Sequence, residues 1–533
     1  MPNRGKRILV IQLERLGDVV QTTPLLMDLR RTDPDAQIDF LVWSEWASLA
    51  EALPGVRLRT IPSRRVQELN TEAENARTTG RPPSEGFVAE KELALPAYDW
   101  AINVSHGQFA PWLSSRLGVK KRDGGAWSAD GEWLYSGDWL TFFVATAAPE
   151  IRPENQFNIV DLYRGCAGAG PPPIEASAHV RCSDSLPFAL PEGRLAVIAP
   201  GANEEHRRLQ APATLDVISK LDAMGFHIVM VGGAADREFV NTLASGAQAP
   251  VTDLTGKTKV SELAEVIRRA DLALTADSGP AHIAAALKRP LVGLYGASLA
   301  PLLTAPWGSG HLVLIANSMQ AFSPDVIMSA IRARLGVGGD DELRRESSSA
   351  GIQTWRTAML SGAADPLGGV TYTPLHARTL DERDAIRRLM RHVMAAVIME
   401  KEIGDLAEFA SVAPAAAPFD ASPAGDVARV EQTLVKLAAD VSRGLAQWRR
   451  RNFQGLQELA DRIPATVEQL KQQSVRDPEI ALPVYFLDWK IRMMPAYQPD
   501  RVFQENAREL TRAAKALAMA RELALKVWSS QIL

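Results

Sequence analysis

Short apolar runs punctuate the first part of the chain at residues 7–11, 38–43, 100–104, 195–198, 228–231, 272–275 and 290–294. Runs of that length, rich in Val, Ile and Leu, predict buried parallel strands. Several are followed by a turn of small or acidic residues and then by a helix-period stretch, the alternation of a doubly wound α/β domain. Residues 270–295 show it most fully. An apolar run ends at Asp277-Ser278-Gly279-Pro280, a helix is predicted from 281 to 287, and a second apolar run follows. Ser278 or Gly279 serves as N-cap, and Pro280 sits where its missing N–H costs nothing. Small residues in this turn let an anion approach backbone amides at the positive end of the helix.

The run at 7–11 leads through Gln12-Leu13-Glu14-Arg15-Leu16-Gly17-Asp18 into a helix expected at about 19–31. Asp18 and Gln21 have capping-box spacing. Asp18 also stands where open α/β sheets bind ligands, so capping and catalysis both stay open. Residues 63–92 are polar and irregular, a candidate loop or helical insertion over the cleft. His106 follows a strand as Asp18 does and is a candidate acceptor contact, although a lone histidine is more often structural. Residues 112–139 hold Trp112, Trp127, Trp133 and Trp139, which suit sugar rings and also simply pack. Gly168 to Pro173 is the clearest boundary.

Beyond it, the run at 195–198 ends in Pro200-Gly201-Ala202-Asn203, and Arg207 and Arg208 come next. An arginine pair suits a diphosphate, while a charged loop is usually only solvated. Leu254-Thr255-Gly256-Lys257-Thr258 looks like the end of a phosphate-binding P-loop. It is not one, because Val251 stands where the motif requires glycine. No GxGxxG opens a helix.

Composition narrows the classes. The 533 residues are 46% hydrophobic, enough for two or three domains, and the net charge of −4 argues against a general nucleic-acid binder. Two cysteines, Cys166 and Cys182, form no CxxC, which points to a reducing cytoplasm. The opening residues carry no signal-peptide pattern and no run is long enough to span a bilayer.

The motifs together resemble bacterial heptosyltransferases, glycosyltransferase family 9. They are Ile8-Leu9-Val10-Ile11 with Leu16-Gly17-Asp18-Val19-Val20 and Thr23-Pro24, then Ala199-Pro200-Gly201-Ala202, Val231-Gly232-Gly233, Asp253 to Thr258, and Ala276 to Ala286 with Pro290 and Gly296. The resemblance covers roughly residues 7–335. It implies a GT-B fold of two Rossmann-like domains, expected at 1–170 on the acceptor side and 185–338 on the nucleotide-sugar side. It also implies inverting, metal-independent transfer from a nucleotide-diphosphate sugar (ADP-heptose by family habit) with no cofactor and no bound metal. Asp18 matches the family's general base. Asp277, Ser278, Gly279 and His282 match the loop that holds the sugar diphosphate, with Lys257 and Thr258 assigned to the same site. Arg207 or Arg208 matches a basic residue ahead of a Trp-Pro pair, for which this chain has Leu209-Gln210. Asp236 or Glu238 is aligned with a ribose contact.

Past residue 335 the resemblance ends. Residues 336–351 are rich in Gly, Ser and charge, as expected of a linker. Apolar spacing over 381–408, 427–448, 453–470 and 502–528 predicts a helical extension over 375–533. The expected fold is thus α/β with two Rossmann-like domains plus a C-terminal helical bundle. The bundle is a candidate for oligomerisation, acceptor docking or peripheral membrane contact. The expected function is transfer of a sugar to a bacterial glycan or protein acceptor, in the cytoplasm or at the inner face of the inner membrane. The alternatives are a non-catalytic sugar-binding scaffold and a GT-B epimerase or hydrolase.

Overall fold

The computed structural model describes residues 5–51, 53–62, 93, 95–107, 109–128, 133–147, 152, 155–170, 172, 176–202, 204–296, 302–360, 367–376, 390–391, 393–399, 432–436, 439, 456–474, 483–488, 490, 506 and 508–519. The polar stretch 63–92 and residues 411–426 lie outside them. The chain divides into two compact units: residues 1–134, 158–360 and 369–378 form the first, and residues 135–157, 361–368 and 379–533 form the second.

The first unit holds the two Rossmann-like halves. In the N-terminal one, β1 (Arg7–Ile11), β2 (Gln37–Trp43), β3 (Val56–Ile61), β4 (Trp100–Asn103) and β5 (Lys121–Trp127) pair in parallel, and with β6 (Trp133–Ser136) the order is β3-β2-β1-β4-β5-β6. Leu9, Val10 and Ile11 are fully buried, the burial on both faces that their continuous apolar run requires. Helix α1 (Leu16–Thr32) follows β1 and contains Pro24. A proline there cannot donate to the carbonyl of Val20; the hydroxyl of Thr23 donates to it instead at 2.8 Å. Helix α2 (Phe109–Ser115) packs on β5, and α4 (Ile159–Gly165), capped by Asn158 on the amide of Val160 at 3.0 Å, packs on α1. Helix α3 (Asp138–Thr146) lies between these two in sequence and belongs to the second unit.

The C-terminal half is an eight-stranded sheet. Its parallel strands are β7 (Arg194–Ala199), β8 (Phe226–Met230), β9 (Val251–Asp253), β10 (Leu272–Ala276), β11 (Leu291–Gly296) and β12 (Leu312–Ala316). Their helices are α5 (Ala211–Ala223), α6 (Arg237–Gly246), α7 (Val260–Arg268), α8 (Gly279–Ala286) and α9 (Pro324–Leu335). The sheet does not stop at residue 338. Two antiparallel strands, β13 (Gln353–Leu360) and β14 (Gly369–Pro374), extend it past β12 in the order β14-β13-β12-β11-β10-β7-β8-β9.

Nor is 336–351 a linker. Gly336 ends α9 in the left-handed region at φ 70°, and α10 (Asp340–Ser349) begins four residues later with three acidic residues in its first turn, suited to the helix dipole. The charge and serine content that predicts solvated chain covers only the outer face, because Leu343 and Ser347 are fully buried. The expected 185–338 boundary therefore cuts through a continuous layer. Fully buried Tyr372 of β14 donates to the carbonyl of Leu302 at 2.6 Å, and the amide of Val370 donates to buried Asp161 at 3.2 Å.

In the second unit the described residues beyond 379, apart from the turn at Met399, are helical, including α11 (Leu456–Ser474). Helix α3 is built into this unit. Asp138 pairs with Lys490 at 2.6 Å and Arg512 at 2.8 Å, and Phe142 meets Phe486 edge-on at 5.6 Å between centroids. Burial alone would raise the Asp138 carboxyl, but Lys490 and Arg512 outweigh it and hold the group below the ordinary range. Residues 135–157, expected within a domain spanning 1–170, thus fold with the C-terminal helices. Trp139 is core to the same cluster, while Trp112 is buried in the N-terminal half. Neither lines a surface. Trp127 and Trp133 remain half-buried, edge to face at 5.8 Å.

Candidate active site at the meeting of two helix starts

The two Rossmann-like halves touch where the helix starts after β1 and β10 meet. Helix α1 begins one residue before Gly17, and α8 begins at Gly279. A Cβ added at Gly17 would lie 2.7 Å from Cδ2 of His282, and one added at Gly279 would lie 2.9 Å from Cδ2 of Leu16. Only glycine lets each backbone come so close to the other half's side chain. Val20 and Leu49 complete an apolar cluster whose other members, among them Ile283 and Ala284, come from the C-terminal half. The strand-end turns of β1 and β10, far apart in sequence, thus form one site.

Asp18 occupies the third helical position of α1 rather than the cap. Its Oδ2 accepts from the Arg15 amide at 3.1 Å, so it does help close the helix start. A buried polar network holds this turn. Gln12, fully buried, donates to Thr22 at 3.0 Å; Thr22 donates to the carbonyl of Asp18 at 2.8 Å; and the Leu13 amide donates to Ser105 at 2.7 Å. Burial pushes the Asp18 carboxyl above the ordinary range. His106 pulls it back, Glu14 pushes it further up, and the Arg15 amide and guanidinium lower it. A carboxylate with a raised pKa is the stronger base.

His106 is exposed. Its Nε2 lies 2.9 Å from the hydroxyl of buried Tyr163, which donates to the Val104 carbonyl at 3.2 Å. Glu14 accepts from the amides of His106 at 2.9 Å and of Gly107. Gln12, Glu14, Ser105 and Tyr163 are thus the residues that sequence reasoning missed. The available signal was a set of polar side chains immediately after a fully apolar strand, which a loop also produces.

On the other side, the hydroxyl of Ser278 turns back to the Ala276 carbonyl at 3.2 Å, so Ser278 does not cap α8 with its side chain. Burial pushes His282 down to about 4, leaving a neutral imidazole rather than a phosphate-binding cation; its Nδ1 has no hydrogen-bond partner among the described residues. Arg207 pairs with Asp277, whose carboxyl burial raises and Arg207 and Arg15 draw back down. Arg208 turns away, its Nε 3.4 Å from the Ala202 carbonyl and its guanidinium 5.7 Å from the Phe239 ring centre. Leu209 of the altered Leu209-Gln210 pair is buried in the core and donates its amide to Pro200, so the change is one of packing.

The remaining candidates are less central. Lys257 is exposed and bonds Asp253 within its own turn, at 2.7 Å to the carbonyl and 3.0 Å to the carboxylate. Thr258 is half-buried in the same turn. Asp236 accepts from the Gly233 amide at 2.9 Å and closes a helical turn, and Glu238 is exposed on α6. Among the described residues no three His, Cys, Asp or Glu side chains are grouped as a metal site, and no helix is long and apolar enough to cross a membrane.

Residues 171–325, which contain the whole β10–α8 turn, match glycosyltransferase family 9 (heptosyltransferase). The chain carries a family 9 glycosyltransferase domain. Lipopolysaccharide heptosyltransferase 3 of Escherichia coli is 26% identical over 307 residues, covering 56% of this chain and 85% of that protein. Lipopolysaccharide heptosyltransferase 2 of Salmonella typhimurium is 35% identical over 138 residues, 25% of this chain and 38% of that one. Among solved structures, the ADP-heptose lipopolysaccharide heptosyltransferase II of E. coli aligns at 22% identity and a TM-score of 0.46, covering 62% of this chain and 98% of that one. The alignment with heptosyltransferase 3 spans most of that protein and a little over half of this chain.

Contact between the family 9 domain and the N-terminal turn makes a direct prediction. Gly17→Ala forces the turn and His282 apart by several tenths of an ångström or more. Turnover should fall about tenfold to a hundredfold from displaced reacting groups, while the midpoint of thermal unfolding changes little. Steady-state rates and a melting curve on one preparation check this.

Proposed function

We propose that this family 9 glycosyltransferase moves a heptose from ADP-heptose to a lipopolysaccharide-type glycan, by inversion and without a metal. The observation that carries the reading is the raised, half-buried Asp18 carboxylate on a turn that touches the uncapped start of α8 through Gly17 and His282. Asp18 accepts the proton of the acceptor hydroxyl as its oxygen bonds to the anomeric carbon. The bond from that carbon to the diphosphate breaks on the opposite face, and the electron pair leaves with ADP. The charge that grows on the departing phosphate meets the Gly279 amide, the helix dipole and the nearby guanidinium of Arg207. Neutral His282 serves as a hydrogen-bonding wall. His106 stands beside Asp18 on the N-terminal side, where the acceptor hydroxyl must arrive. The donor and acceptor classes are those of the heptosyltransferases this chain resembles.

The test is mass-spectrometric detection of a heptosylated product from ADP-heptose and a lipopolysaccharide core acceptor, with excess chelator present. Product should form at an undiminished rate. Loss on chelation with recovery on added magnesium or manganese overturns the metal-free assignment. Breakdown of ADP-heptose with no acceptor dependence overturns the transfer.

A further inference from the structure

Strand β3 ends the order of the N-terminal sheet and carries Arg57 and Arg59 on one face. Both lean on Asp39 of β2, which is 1% exposed. The Nε of Arg57 donates to one carboxylate oxygen at 2.9 Å, and the Nε of Arg59 donates to the other at 2.9 Å. The hydroxyl of Tyr98 donates to that second oxygen at 2.7 Å. Two guanidiniums thus share a single buried carboxylate and leave positive charge over. Neutralising Asp39 needs only one arginine, held through a two-pronged fork. Here each guanidinium spends its Nε alone, and its terminal nitrogens make no hydrogen bond or ion pair among the described residues. The side chains are 51% and 29% exposed, so solvent reaches these outer ends.

Strand register places the pair. Arg59 is opposite Leu41, and Leu41 is opposite Ile11, the last residue of β1. Arg59 is therefore level with the strand end from which the Asp18 turn departs, two strand spacings or about 10 Å across the sheet. We propose that Arg57 and Arg59 form the seat for a phosphate group that the acceptor glycan carries away from its reacting hydroxyl. With their inner nitrogens fixed on Asp39, the two outer forks can close on one phosphate from two sides. A phosphate group offers three oxygens to such a pair, where a carboxylate offers only two. Holding the side chains in place beforehand lowers the entropy cost of binding. The inference rests on the transferase reading and assigns residues outside the family 9 match.

The experiment compares initial rates on a phosphorylated lipopolysaccharide core acceptor and on the same acceptor after phosphatase treatment. The proteins are the full chain, Arg57→Ala, Arg59→Ala and the double variant Arg57→Lys/Arg59→Lys. In the unsubstituted protein, loss of the phosphate should raise KM about tenfold to a hundredfold, the size of lost charge-assisted contacts. The kcat should change little, because the group binds alike in ground and transition states. Each alanine variant should raise KM about tenfold for the phosphorylated acceptor and by less than about twofold for the treated one. The double lysine variant keeps two cations beside Asp39 but has no fork. It should melt close to the unsubstituted protein and still lose most of the preference. A purely structural pair would instead lower the melting temperature and affect both acceptors alike. No preference in the unsubstituted protein, or a preference that the variants keep, overturns the seat and leaves the transferase reading standing. Calorimetric titration with inorganic phosphate separates the source. Binding that the alanine variants lose, while both acceptors react alike, means a site for free phosphate and overturns the acceptor assignment. No glycosylated product from either acceptor overturns the transferase reading and this site with it.

Discussion

Asp18→Asn should cost about two to four orders of magnitude in turnover while leaving ADP affinity close to that of the unsubstituted protein. The amide keeps an oxygen for the Arg15 N–H and so keeps the helix start closed. What it lacks is a basic site for the acceptor proton. The same variant should melt higher, not lower, at neutral pH. The Asp18 carboxyl is raised in the folded protein by burial, so the folded state holds its proton more tightly than the unfolded chain does. Its contribution to stability is fully present below the ordinary carboxylate pKa of about 4 and is lost as pH rises through the folded value. At neutral pH a charged group is being kept out of water at a cost, and asparagine removes that cost. The gap in melting temperature between variant and parent should therefore close as the pH is lowered. Near-normal turnover, or a gap that grows in acid, would reduce Asp18 to a capping residue.

Removal of the chain after residue 338 should abolish folding rather than trim an appendage. The cut strips β13 and β14 from the second sheet and leaves β12 as an open edge. It takes away Leu343, Trp355, Val370 and Tyr372, each at most 4% exposed. Asn158, whose side chain donates to Tyr372 at 2.9 Å, loses that partner, and Asp161 loses the amide of Val370. Within the other unit, Asp138 loses Lys490 and Arg512 while Trp139 and Phe142 lose the helices they pack among. Circular dichroism and size exclusion should show an aggregated or unfolded product that binds no ADP. A soluble, cooperatively melting product would mean that the added strands and helices are accessory. A chain ending after residue 376 keeps the sheet but still leaves α3 without its partners, and should be poorly soluble for that reason.

The alternation of apolar run and helix was legible wherever a strand is buried on both faces. The runs at 7–11, 38–43, 100–104, 195–198, 228–231, 272–275 and 290–294 all lie in or within a residue of observed strands. The apolar run of β12, Leu312–Ala316, went unread; other strands that escaped have residues that do not look apolar. β3 places Arg57 and Arg59 against Asp39, buried in β2, at 2.9 Å each. β5 contains Lys121, Arg122, Asp123 and two glycines, and β13 alternates polar and apolar residues as an antiparallel strand near an edge does. The acidic stretch at 340–342 looked like solvated chain and is the start of a helix. The turns carrying Asp18 and residues 277–282 could be read singly from strand-to-helix punctuation. Their contact could not, because nothing local to either turn records that Gly17 must make room for His282. Nor does spacing tell Arg207 from Arg208, which a single residue of backbone direction sends to opposite sides.

The pairing of Asp138 with Lys490 joins residues 352 positions apart. At about 5–20 residues per second of synthesis, Lys490 is made roughly twenty to seventy seconds after Asp138. Through that interval the first unit can complete both of its sheets, since their last strand ends at Pro374. Helix α3, with Trp139, Phe142 and Phe143 on it, must wait on the nascent chain with its apolar side uncovered. A newly made molecule is therefore exposed to aggregation through one short internal segment until its final helices emerge. Slowing translation over the last third of the message lengthens that exposure without altering a single residue.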